Sequence, residues 1–263
     1  MGPRLTFCVA LLLFATRVAP AAADSRKHIS PCRVSYPSDA RIDWECRPLK
    51  KRETPESLFG GLWRDVLRFN RIDRRHVYPG FRLKVPKDLT AVAGFTPLPV
   101  TYAKAEPEPK YILVDLSEQF LGAYEYGRLV HSFPIASGDR KNPTPAGEFR
   151  ASAFNRNHRS SLYKIEKTEI PYPMHYALRF FVNRREVAFW LHGRDLPGYP
   201  ASHGCVGLYD EEMQQKYYKN PATPLLEDAK TLYEWVLGPS PDDGNFNLLQ
   251  DGPKVEIVGV SPL

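Results

Sequence analysis

A cysteine and two histidines fall within one short stretch of the chain, HGRDLPGYPASHGCVGL, from His192 to Leu208. A cysteine attacks a carbonyl as its thiolate, and a free thiol with a pKa of about 8.5 needs a base or a positive neighbour to reach that state near neutrality. His192 and His203 are the bases at hand. His203 lies two residues before Cys205 and shares its face if the segment is extended. His192 comes from a separate segment across a loop and can approach the sulfur without distorting the nucleophile's own backbone, which makes it the stronger candidate base. Gly204 removes a side chain beside the nucleophile, so backbone N–H groups at 203 to 205 can face a developing oxyanion. The set suits acyl transfer. As zinc ligands, His192, His203 and Cys205 lack the usual spacing, so neither a metal nor another cofactor is expected. No phosphate-loop, dinucleotide or Gly-x-Ser-x-Gly motif competes elsewhere.

The rest of the cysteine pattern isolates the same residue. The first segment, MGPRLTFCVALLLFATRVAPAAADS, has a short basic start, an apolar run and Ala21 and Ala23 in an A-x-A arrangement. It reads as a secretory signal peptide, residues 1–23, with an uncleaved anchor as the alternative. Cys8 leaves with that segment. Of the remaining Cys32, Cys46 and Cys205, the first two lie close together near the mature N-terminus and are candidates to pair in an oxidising compartment, which leaves Cys205 as the unmatched thiol. No later run is long enough to span a bilayer. The mature protein is therefore expected in the periplasm or cell envelope without stable membrane insertion. Residues 24–90 hold sixteen basic and nine acidic side chains, and residues 91–263 hold eighteen and twenty-one, so the basic character is N-terminal. In an exported protein that favours an anionic polymer or surface over nucleic acid, with a solvated basic face as the plain alternative.

The elements that must hold these residues follow from periodicity. After an N-terminal extension (24–41), residues 42–86 read as a strand, two helices and a strand. Thr54-Pro55 starts the first helix, Gly60-Gly61 breaks it, and Leu62, Trp63, Val66, Leu67 and Phe69 form the apolar face of the second, ended by Asn70. Residues 87–109 are Pro-rich and read as a stiff linker. From residue 110 the chain becomes β-rich: a buried strand over Tyr111–Leu116, strands over Gln119–Tyr126 and Leu129–Ala136, and a loop carrying Ser137-Gly138 and Asn142 to Gly147. A hairpin is expected with arms Ala177–Val182 and Glu186–Leu191, its second strand ending at His192. Helices over Asp210–Tyr218 and around Leu225, Ala229, Leu232 and Val236 follow, then a last strand over Val255–Val260.

Ser202-His203-Gly204-Cys205-Val206, preceded by His192-Gly193, resembles the signature of the L,D-transpeptidase catalytic domain of the YkuD type. Val114-Asp115-Leu116-Ser117-Glu118-Gln119 matches that family's opening strand, Ser137-Gly138 with Thr144 to Gly147 its loop, and Met174, Tyr176, Ala177 and Leu178 the segment before its histidine. Four landmarks in one order make a specific match. Residues 42–86 resemble a divergent LysM module, through Thr54, Asn70 and the ending Tyr78 to Pro86.

The resemblance implies a mainly β fold, a β-sandwich-like catalytic domain (110–263) with a few helices, preceded by a small α/β module that binds peptidoglycan glycan. It implies a ping-pong reaction on peptidoglycan stem peptides. Cys205 attacks the carbonyl between a diamino acid and the D-Ala at the fourth position, with His192 as base, Gly193 orienting His192, and N–H groups around Gly204 and Cys205 as oxyanion donors. Ser202 and His203 support the site, and Met174, Tyr176 and Arg194 are candidate substrate contacts. The acyl group passes to an amine, or to water in an L,D-carboxypeptidase or amidase of the same fold; a non-catalytic peptidoglycan-binding protein is a third reading. Two departures stand out: two positions after the cysteine, where the family usually has Arg or Asn, this chain has Gly207, and the loop from His192 to Cys205 is shorter than is usual in the family. Arg194 is the nearby positive charge that can replace the one missing at Gly207, a solvated surface arginine being the alternative.

Overall fold

A computed structural model describes Gly2 and residues 29–262 of the chain; the expected signal peptide, with Cys8, lies outside the described residues. The N-terminal module is built as strand, helix, helix, strand. β1 (Trp44–Pro48), α1 (Pro55–Phe59), α2 (Trp63–Asn70) and β2 (Arg82–Pro86) follow one another, and β1 pairs antiparallel with β2. Thr54 caps α1 reciprocally with Ser57: its hydroxyl accepts from the Ser57 N–H at 3.2 Å while the Ser57 hydroxyl accepts from the Thr54 N–H at 2.9 Å. Val66, Leu67 and Phe69 of α2 are fully buried, as the helical spacing requires. Asn70 does more than end α2. Its Nδ2 donates to the Val66 and Lys84 carbonyls and its Oδ1 accepts from the Lys84 N–H, each at 2.8 Å, so it ties α2 to β2. A disulfide joins Cys32 to Cys46 and holds the preceding segment on β1.

The second part carries β3 (Tyr111–Asp115), β4 (Phe120–Glu125), β5 (Arg128–Pro134), β6 (Gly147–Arg150), β7 (Ala153–Asn155), β8 (Arg159–Lys164), β9 (Pro171–Pro173), β10 (Ala177–Val182), β11 (Ala188–Arg194), β12 (Val206–Tyr209), α3 (Glu211–Tyr218), α4 (Asp228–Leu237), β13 (Asn247–Leu248) and β14 (Lys254–Val258). One sheet runs β5-β4-β3-β14-β6 and the other β12-β11-β10-β7-β13; β8 and β9 form a separate hairpin. The fold is mainly β, as expected. Ile112, Val114, Leu121 and Ile257 of the first sheet pack with Leu178, Phe180, Leu191, Val206 and Leu208 of the second, and α4 adds Ala229, Leu232 and Val236. At about 1.5–3 kcal/mol for each large side chain buried, this shared layer is the main stabilising term of the domain.

β3 is buried on both faces, which is why it reads as an unbroken apolar run. Ile112 and Val114 face the other sheet, while Tyr111 and Leu113 join the core of the N-terminal module. Residues 87–109, expected as a linker, fill the space between. Val92, Phe95, Leu98 and Ala105 are buried there, and the Phe95 ring meets Phe69 of α2 at 5.3 Å and Phe120 of β4 at 5.7 Å. The prolines keep the segment to loops and two short 3-10 turns, Leu89–Val92 and Ala103–Ala105, without preventing the burial of its apolar residues. The two parts therefore share one core.

Three local expectations change. β11 continues past His192 to Arg194, because β12 pairs alongside it in parallel from Leu191–Val206 to Arg194–Tyr209. The short strands β7, β9 and β13 carry too few residues for a periodic signal, and β8, six residues long, is mostly exposed and lacks an apolar face to mark it. Leu225 lies outside α4, which begins at Asp228. Among the described residues no helix is long and apolar enough to cross a membrane.

Candidate active site

Alternation along β11 and β12 decides what faces what. Leu191, Val206 and Leu208 point into the shared core, so Trp190, His192 and Arg194 of β11 share the opposite face. Cys205 immediately precedes β12, and a backbone hydrogen bond from Trp190 supports its sulfur. The half-buried thiol packs with Met174, Ala177 and Trp190. His192 sits opposite Gly207 in the ladder, two residues beyond Cys205.

His192 is buried, and its Nδ1 lies 2.7 Å from the Gly193 carbonyl. A carbonyl only accepts, so Nδ1 carries the proton and Nε2 is left with its lone pair. Burial pushes the imidazole down to about 3, with Arg194, His158 and His175 acting in the same direction. Burial pushes the Cys205 thiol up to about 11, opposed by the Trp190 hydrogen bond and by Arg194. At rest both groups are neutral: a thiol with its proton and an imidazole able to take one.

The turn into Cys205 is braced from within and from a distance. The Ser202 hydroxyl donates to the Cys205 carbonyl and accepts from the Gly204 N–H at 3.0 Å. That bond bears on one expectation, since the Gly204 N–H, expected among the groups free to face an oxyanion, is already occupied. Gly204 has a φ of 113° and a Cβ there would meet the Phe189 ring at 2.6 Å, so no other residue fits. Ala201 and Ser202 both donate to the Ser137 carbonyl, at 3.0 and 2.9 Å. Ser137 in turn is held by Gln119, whose Oε1 accepts from the Ser137 N–H at 2.9 Å and whose Nε2 donates to its hydroxyl at 2.7 Å. The matched sequence landmarks around Gln119, Ser137 and Cys205 are thus one hydrogen-bonded chain.

Arg194 lies directly over Gly207: a Cβ there would come within 1.9 Å of both Cγ and Cδ of the arginine. Its Nε donates to the Asp195 carbonyl at 3.1 Å and its Nη2 to the Ala201 carbonyl at 3.3 Å. The absent side chain at 207 makes room for the arginine of the neighbouring strand, whose charge acts on both His192 and Cys205. It is not a solvated surface residue.

The remaining candidates divide. Met174 packs beside Cys205. Tyr176 is turned away, its hydroxyl 3.4 Å from Glu212 and its ring against Tyr233, because residue 176 takes a φ of 55° that redirects the side chain. His203 is exposed and stacks on Tyr163 of the β8–β9 hairpin at 4.1 Å. Gly193 has Asp210 against it, where a Cβ would lie 2.2 Å from Oδ2, and its N–H donates to the His175 carbonyl at 2.8 Å. Sequence reasoning missed His175, beside Asp210 at 3.4 Å, and His158, whose ring lies tilted against that of Trp190 with centroids 4.4 Å apart. Only their place on the strand face beside His192 reveals them, although His175 lies between two residues already singled out. Among the described residues no three His, Cys, Asp or Glu side chains are grouped to hold a metal ion.

The profile of the L,D-transpeptidase catalytic domain (YkuD) matches residues 109–257. Among solved structures, an L,D-transpeptidase from Stackebrandtia nassauensis is similar at 22% identity, covering 59% of this chain and 58% of its own, with a TM-score of 0.39. One from Xylanimonas cellulosilytica is similar at 21% identity over 73% of this chain and 78% of its own, with a TM-score of 0.41. L,D-transpeptidase 1 of Mycobacterium tuberculosis is similar at 17% identity over 57% and 62%, with a TM-score of 0.37. No curated protein matches. The profile match extends over more than half of the chain and contains the whole segment from Gln119 to Cys205, so the chain belongs to the L,D-transpeptidase catalytic domain (YkuD) family.

Proposed function

We propose that the chain is a cysteine-dependent L,D-transpeptidase of the cell envelope that acts on peptidoglycan tetrapeptide stems. The observation that carries this reading is the His192 imidazole, buried and pinned through Nδ1 to the Gly193 carbonyl, on the strand paired with the one that Cys205 enters. As the sulfur attacks the carbonyl of the diamino acid–D-Ala bond, His192 Nε2 takes the thiol proton. The oxyanion is met by backbone N–H groups of the turn, that of Cys205 first. Collapse breaks the C–N bond, the proton passes from His192 to the leaving D-Ala amine, and a thioester on Cys205 remains. An incoming amine, deprotonated by the same imidazole, attacks the thioester and restores the thiol. Arg194 favours the thiolate as it forms, and Met174 lines the cysteine side of the site. None of these steps needs a cofactor. In the same reading, residues 1–23 export the protein and the N-terminal module keeps it on the wall glycan.

Purified protein incubated with disaccharide tetrapeptides, with products read by mass spectrometry, tests the proposal. D-Ala release that Cys205→Ala and His192→Ala both abolish, with cross-linked dimers, is expected. Tripeptide without dimers would assign water as the acceptor. No release, or release unaffected by Cys205→Ala, would sink the proposal.

A further inference from the structure

The loop from Asp195 to Gly204 joins the strand of His192 to Cys205. Its second half is held within the domain by Ser137. Its first half is held by the N-terminal module. The Asp73 N–H donates to the Leu196 carbonyl at 2.9 Å, and Asp73 Oδ2 accepts from the Leu196 N–H at 2.7 Å, so one residue takes both backbone groups of Leu196. Ile72 bridges Pro197 in antiparallel fashion. The Tyr36 hydroxyl donates to the Gly198 carbonyl at 3.1 Å, and Gly198, with a φ of 92°, packs so closely that a Cβ would meet Pro31 at 2.7 Å. The Leu196 side chain is fully buried in the core that contains Phe69 and Ile72.

Asp73 itself is over-determined. It is fully buried, its Oδ1 lies 3.0 Å from the His76 N–H and 2.7 Å from His76 Nδ1, and its Oδ2 also accepts from Gln214 Nε2 of α3 at 2.6 Å. Its neighbours extend the contact: Arg71 reaches the Glu118 carboxylate at 3.1 Å, Arg74 pairs with Glu211, and Arg75 lies 3.4 Å from Asp195. Residues 71–75, the connection leaving α2, therefore all engage the catalytic domain. The pairing of β11 with β12 fixes His192 against Gly207, but Cys205 enters β12 directly from this loop, so the loop bears on where the sulfur lies, and a displacement of about 1 Å there can lower a rate by about a hundredfold.

We infer that Asp73, which lies outside the matched catalytic domain, is a positioning residue for the reaction at Cys205, and that the N-terminal module works as a clamp on the loop between His192 and Cys205. The inference rests on the proposed function for its kinetic readout, but the clamp is measurable without it. The clamp makes residues 31–76 part of the catalytic assembly. A module that only tethered the enzyme to a surface would have no reason to grip this loop.

The experiment compares full-length wild type, Asp73→Ala and Asp73→Asn. Asn keeps an acceptor for the Leu196 N–H and Gln214 while losing the acceptor that faces His76; Ala loses both. For Asp73→Ala the expected result is a ten- to hundredfold fall in kcat for D-Ala release per folded enzyme, with KM within about twofold, because the substrate contacts are untouched. Amide hydrogen exchange at Leu196 and Gly198 should rise about tenfold or more, and Asp73→Asn should recover kcat to within about threefold. Wild-type kcat and wild-type exchange in folded Asp73→Ala would overturn the inference, as would activity lost only in proportion to unfolded protein. If wild type itself releases no D-Ala, the functional proposal fails while loop exchange and the rate of Cys205 alkylation by iodoacetamide still judge the clamp. Both unchanged in Asp73→Ala would overturn it. If Asp73→Ala does not fold, Tyr36→Phe, which removes one hydrogen bond to the loop, is expected to raise exchange at Gly198 and Tyr199 about fivefold. No rise would refute the clamp.

Discussion

Gly207→Ala probes the contact between Arg194 and β12, the strand that follows Cys205. Gly207 cannot shift easily, because its N–H and carbonyl both pair with Ala136 at 3.0 Å while β11 runs along its other side. A Cβ there would lie 1.9 Å from two carbons of Arg194, far inside the contact distance of about 3.5–4.0 Å, so the arginine must leave. Its departure breaks the bonds to the Asp195 and Ala201 carbonyls. At about 0.5–1.5 kcal/mol for each bond, the variant should lose about 1–3 kcal/mol. Arg194→Ala loses the same bonds but opens the space that a methyl group needs. The double variant should then be no less stable than Arg194→Ala alone, a coupling of about 1–3 kcal/mol between the two sites. Urea unfolding of the four proteins measures it. Additive losses would refute the packing argument, because independent sites add. Iodoacetamide labelling of Cys205 supplies a second readout: it should slow in all three variants, since Arg194 favours the thiolate.

Three further outcomes are expected. With the Cys205 thiol pushed up to about 11 by burial, about one molecule in a thousand is thiolate at pH 8, so labelling should rise about tenfold per pH unit up to pH 10; a plateau below pH 9 would mean a preformed thiolate–imidazolium pair. Burial holds Asp228 up at about 7, with Glu211 adding to the rise and Arg68 opposing it. Between about pH 4 and 7 the folded chain keeps a proton there that the unfolded chain has lost, so stability falls as pH rises across that window and levels above it. Asp228→Asn should remove that fall and be more stable than wild type at pH 8 by on the order of 2–4 kcal/mol in urea unfolding, whereas equal pH slopes in the two proteins would count against it. Reducing the Cys32–Cys46 disulfide should cost about 3 kcal/mol of unfolding free energy and leave Cys205 labelling unchanged, while peptide mapping that finds both cysteines free in the oxidised protein would contradict the bond.

The elements that a single sequence exposes best are those with a local signal. Thr54-Pro55 starts a helix because the cap bonds lie within one turn, and Val66, Leu67 and Phe69 reveal a buried face because 3.6 residues per turn repeats within the segment. β3 is legible as a short unbroken apolar run, and β4, β5 and the hairpin of β10 and β11 as strand patterns, whereas β7, β9 and β13 are not, since two or three residues hold no period. The extent of β11 was misjudged at His192 because a parallel partner from a later segment carries it on to Arg194. Residues 87–109 carry the prolines of a linker, and nothing local says that Phe95 has ring partners on both sides.

The same division runs through the site. Cys205, His192 and the glycines around them suggest acyl-transfer chemistry by residue type, and the parity of the cysteines singles out Cys205 as the unpaired thiol; these are properties of covalent connectivity and side-chain chemistry, which a sequence carries in full. The tautomer of His192, the occupied Gly204 N–H, the outward turn of Tyr176 and the stacking of His203 on Tyr163 depend on φ angles and on partners far away in the chain. Arg194 filling the space above Gly207 belongs to the same class, as does Asp73 gripping Leu196 across 123 positions. Residue chemistry is local and can be read one position at a time. What lies against the Cys205 thiol, and what holds the loop between it and His192, is set by packing, where a contact exists only once both partners have been brought to the same place.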